Sequence, residues 1–127
     1  MSRLFWICLG GAAGTGARYL LSGGLAALLG IAFPYGTLIV NILGSFAITL
    51  VMHIALTTKL IAPTLRLALT TGVVGGFTTY STFNYETLQY LREGNWIVAA
   101  ANVGATVLLC LAAGVAGLVL ARAIVGS

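Results

Sequence analysis

A run of hydroxyls and rings, Thr78-Thr79-Tyr80-Ser81-Thr82-Phe83, interrupts an otherwise apolar stretch of the chain. Hydroxyls are flexible donors that can replace part of an anion's hydration shell, and the edges of aromatic rings carry partial positive charge. Tyr80, Phe83, Thr87 and Tyr90 are spaced i, i+3, i+7 and i+10, so they share one helix face, where an aromatic stripe also serves plain packing. Three further polar side chains stand inside apolar segments. Arg18 is permanently charged and must pair, snorkel or face water, and a water-facing guanidinium would make an electropositive vestibule. Asn41 donates and accepts, which suits an interhelical bond or contact with an ion. Glu86 could pair with a basic residue, take up protons or bond hydroxyls. His53, near the end of an apolar run, reads as packed or interfacial.

The elements that must hold these groups are membrane helices. Of 127 residues, 60% are hydrophobic and 6% are charged, against about 25% charged in a soluble domain. Between the few charges lie apolar runs long enough to cross about 30 Å of hydrocarbon. The pattern predicts one four-helix membrane domain over 1–127, all α, with spans at about 4–32, 35–57, 64–91 and 96–125. Phe33-Pro34-Tyr35-Gly36 and Arg92-Glu93-Gly94-Asn95 mark turns. In the third span, Gly72, Gly75 and Gly76 followed by the hydroxyl run weaken a regular helix. Both termini then face one compartment, and Arg3, Lys59, Arg66 and Arg122 against Arg92 give a modest bias toward that side being inside.

Gly10 and Gly14, and again Gly72 and Gly76, have the spacing that lets transmembrane backbones approach closely, within one chain or between subunits. A conducting path lined by only four helices calls for a second subunit. Six scattered cations make no phosphate-binding patch, so nucleic acid is no expected partner, and the net charge of +4 would instead draw small anions. Cys8 and Cys110 have no metal-ligand spacing and read as buried thiols. An N-terminal signal peptide is a poor fit, because the apolar pattern resumes past Arg18. No hydrolase, zinc-protease or phosphate-loop motif is present, so the chain reads as a non-enzyme.

Gly75-Gly76-Phe77-Thr78-Thr79-Tyr80-Ser81-Thr82-Phe83 resembles the third-helix signature of the Fluc (CrcB) fluoride channel family. Gly16-Ala17-Arg18-Tyr19, Gly36-Thr37-Leu38-Ile39-Val40-Asn41 with Gly44 after it, and Glu86-Thr87 are similar to that family's pattern as well. One departure is Tyr80, where the pattern has Phe. The resemblance implies an antiparallel, dual-topology homodimer in the inner (plasma) membrane lipid bilayer, with two pores carrying fluoride passively. It implies a break in the third helix, with backbone carbonyls of Gly75 and Thr78 holding a structural sodium ion at the dimer centre. It puts Asn41, Tyr80 and Phe83 on the fluoride path, Ser81 and Thr82 as hydroxyl partners, Thr37, Glu86 and Thr106 as further pore residues, and Arg18 at a vestibule.

Two other readings compete. A small multidrug-type, proton-coupled exporter would need a membrane carboxylate at its substrate site, for which Glu86 is the candidate. A non-transporting assembly subunit would need only the glycine motifs, and would leave the hydroxyls and rings unexplained.

Overall fold

The computed structural model describes residues 2–126, and every regular element among them is helical. Helix α1 spans Ser2–Leu29 and α2 spans Tyr35–Thr57. A short α3, Pro63–Leu67, opens on a proline at its first position and runs into a π-helical stretch, Ala68–Val74. Then come α4, Gly75–Phe77, α5, Tyr80–Arg92, and α6, Trp96–Val125. Helix α1 stops short of the expected 32, because Gly30 takes a left-handed φ of 84° that L side chains avoid. Asn95 caps α6 by accepting from the Val98 N–H.

Two pairs of helices pack backbone against backbone. Helix α1 lies along the π-helical stretch and α4, with Gly10 against Ala68 and Gly72, and Gly14 against the backbone of Val73. Gly72 and Gly76 return the contact, facing Ile7 and Gly11. Both glycine pairs are therefore spent on packing inside one chain. Helix α2 lies along α6: Gly117 admits the carbonyl of Phe46, and the Thr49 hydroxyl donates to the Gly114 carbonyl at 2.7 Å.

Few apolar side chains are buried by this packing. On α6, Leu108 is 69% exposed, Leu111 65% and Val115 62%. Helices α2 and α6 are each long and apolar enough to cross a bilayer. An apolar outer face this extensive requires lipid or another protein around it, not water. Cys8 is exposed and Cys110 half-buried on the cleft between α2 and α6, which corrects the expectation of buried thiols.

Candidate functional site

Through Ala68–Val74 the helix widens, and the Gly75 N–H reaches the Thr70 carbonyl. The glycines of this segment remain helical. The helix gives way later, at Thr78 and Thr79, both extended (φ −89°, ψ 160° and φ −153°, ψ 117°). Glycine flexibility does not place the break; side chains from neighbouring helices hold it.

Asn41 holds one side. Its Nδ2 donates to the Thr79 carbonyl at 2.9 Å and its Oδ1 accepts from the Thr79 N–H at 2.8 Å. A single amide thus supplies the acceptor that the Thr79 N–H has lost and a further donor to the Thr79 carbonyl, the first carbonyl of α5. Arg18 holds the other side, its Nε donating to the Gly76 carbonyl at 3.0 Å. Gly44 leaves room for the Thr78 methyl against α2. The Thr79 hydroxyl caps α5, accepting from the Thr82 N–H at 3.2 Å and donating to the Thr82 hydroxyl at 3.0 Å. Because the N–H groups of Thr79 and Thr82 are diverted to these side chains, the carbonyls of Gly75 and Thr78 lose their helical donors.

Apart from Arg18 and Ser81, the expected site residues fall into two clefts. A cleft of about 860 Å³ between α2, α6 and the broken segment is lined by Asn41, Gly75, Thr78, Tyr80, Phe83 and Thr106, among others. Its walls are mostly apolar. Tyr80 projects outward, 77% exposed, while Phe83 is buried, and the two rings meet edge to face with centroids 5.5 Å apart. A second cleft of about 340 Å³, under the α1–α2 turn, brings together Thr37, Thr82, Glu86 and Tyr90. The Glu86 Oε1 is buried there without a hydrogen-bond partner among the described residues. Ser81 lies in the first turn of α5, exposed, with its hydroxyl 3.4 Å from that of Thr79. Arg18 is half-buried and lines neither cleft.

One residue the sequence reading passed over is Asn102. It is 1% exposed and donates from Nδ2 to the Thr87 hydroxyl at 3.0 Å. The rule that singled out Asn41, a lone amide inside an apolar span, applies to it equally.

Gly75 stands differently from the packing glycines. A Cβ placed there would meet only the Thr70 carbonyl, at an ordinary 3.6 Å, so its own chain leaves room for a side chain. Gly75→Val is accordingly expected to leave the fold of a single chain intact, with a circular dichroism spectrum that matches the wild type. A spectrum with markedly less helix would show that Gly75 is needed within the chain.

An apolar helical protein with a ring- and hydroxyl-lined cleft at a helix break belongs to the membrane proteins. The family described as CrcB-like protein, Camphor Resistance (CrcB), matches residues 5–118, and the chain belongs to that family. A Sorangium cellulosum protein named fluoride-specific ion channel FluC is 54% identical over 125 residues, covering 98% of both chains. Proteins of the same name from Geobacter sulfurreducens and Anaeromyxobacter dehalogenans are 52% and 51% identical, over 96% and 99% of this chain and 98% and 100% of their own.

Proposed function

We propose that the chain is one subunit of a fluoride-selective ion channel, a passive pore made by two copies lying antiparallel in the inner (plasma) membrane, each crossing it four times. The observation that carries this reading is the extended Thr78-Thr79 pair held open by Asn41 and Arg18. Irregular backbone survives at membrane depth only when buried in protein or lining a cavity. The names of relatives that share about half of the sequence across its whole length support the ion chosen.

In this reading a second copy closes the large cleft into a narrow path. Fluoride passes the edges of Tyr80 and Phe83, which stabilise an anion without gripping it, as conduction requires. The hydroxyls of Ser81, Thr82 and Thr106 replace lost water, with Thr37 and Glu86 at the second cleft and Arg18 biasing a vestibule toward anions. Asn41 acts on the path through the Thr79 backbone it holds. The free carbonyls of Gly75 and Thr78 suit a hard monovalent cation, and two copies would supply four oxygens to a structural sodium ion between them.

Efflux from liposomes containing the purified protein tests the reading. Fluoride is expected to leave far faster than chloride with no imposed proton gradient. Absence of fluoride efflux would overturn the proposal. Flux that appears only with a proton gradient would favour an exporter working through Glu86.

Tyr80 supplies a further prediction. Its hydroxyl adds a donor beside the path, and one good bond to a charged acceptor is worth about 1.5 to 3 kcal/mol. If that bond breaks in the slowest step, Tyr80→Phe should carry fluoride about tenfold faster or more, with chloride still excluded. Equal rates in parallel assays on matched dimer would mean that the hydroxyl points away from the ion.

A further inference from the structure

Two side chains, Asn102 and Thr87, link α6 to α5. Asn102 donates to the Thr87 hydroxyl at 3.0 Å, and that hydroxyl donates in turn to the Phe83 carbonyl at 2.8 Å. On its other side, the Asn102 Oδ1 accepts from the Thr106 hydroxyl over a long 3.5 Å. The two inner bonds have ordinary geometry, whereas the third is at the limit of a useful contact. Asn102 is 1% exposed and Phe83 8%, and Thr87 between them is half-buried. Threonine in mid-helix normally returns its hydroxyl to its own helix, and here that hydroxyl is also fixed from outside.

We propose that Asn102 is a positioning residue, which sets the first turns of α5, and with them the ring of Phe83 in the large cleft, by polarising and orienting Thr87. The Thr106 hydroxyl lies on that cleft and is held only weakly by Asn102. It is therefore free to turn toward the cleft without disturbing the relay. Asn102 touches no part of the cleft itself. Its flux consequence rests on the channel reading above, whereas its geometric consequence does not.

The test is a double-mutant cycle with two readouts. Asn102→Leu and Thr87→Val should each lower fluoride flux per folded dimer about tenfold, and the double variant should be no slower than either, because both cut the same relay. Thr87→Ser, which keeps the hydroxyl, should conduct like the wild type. Thr106→Val lies outside the relay, so its effect should multiply with that of Asn102→Leu. The second readout is the ¹⁹F resonance of 4-fluorophenylalanine incorporated at Phe83, expected to shift in Thr87→Val and not in Thr87→Ser. That signal reports on the relay even if no variant, nor the wild type, carries fluoride. Multiplying effects in the Asn102 and Thr87 double variant, or a Thr87→Val resonance identical to the wild type, would overturn the proposal. Should Asn102→Leu fail to fold, the Thr87→Val and Thr87→Ser pair decides alone.

Discussion

Asn41→Leu is expected to abolish fluoride flux and to cost the fold about 1 to 3 kcal/mol, for the Thr79 N–H left unpaired. The size is similar and the shape nearly so, but leucine neither donates to the Thr79 carbonyl nor accepts from its N–H. The Thr79 N–H then stands without a partner, while the carbonyl keeps the first bond of α5. Asn41→Asp keeps the acceptor and exchanges the donor for a carboxylate, so its damage should be smaller to the fold. An ionised carboxylate beside the path would still repel a permeant anion. Liposome flux gives the first quantity, and unfolding in a graded denaturant series gives the second. Wild-type flux from a folded Asn41→Leu dimer would show that the break does not depend on this amide.

Gly14→Val should leave almost no folded protein. A side chain at Gly14 would enter the backbone of Val73, and neither helix can retreat without opening the whole α1 contact. Clashes with backbone are not relieved by a rotamer change. The yield of monodisperse protein after detergent extraction is the measurement, with Gly16→Val as the control, since a Cβ at Gly16 meets nothing within 4 Å. Equal yields for the two would mean that α1 and the third segment are held apart from each other in the membrane.

Apolar runs and turn residues made the positions of the long helices readable from sequence, because lipid demands long uninterrupted stretches and Pro34, Gly94 and Asn95 punctuate them. The polar intruders Arg18, Asn41 and Glu86 were equally visible. The exact place of the break was not. Local propensity pointed to Gly72, Gly75 and Gly76, yet Gly72 and Gly76 serve close packing on α1, Gly75 stays helical, and the extended residues are two threonines beyond them. That position is decided by Arg18 and Asn41, which are about 58 and 38 residues away in sequence from their partners, and no local pattern encodes such a pairing. Asn102 was missed for a simpler reason: its surroundings, Ala99-Ala100-Ala101 and Val103-Gly104-Ala105, contain no chemistry to draw attention to it.

Arg18 from α1 and Asn41 from α2 grip consecutive parts of the same short stretch, at Gly76 and Thr79. Three helices thus meet in one mechanical node, and none of them shifts there without stranding buried polar groups. Releasing the two bonds of Asn41 costs about 1 to 3 kcal/mol, which holds an opened arrangement to about one copy in six or fewer. A shutter built on motion at this point would therefore sit mostly in one state.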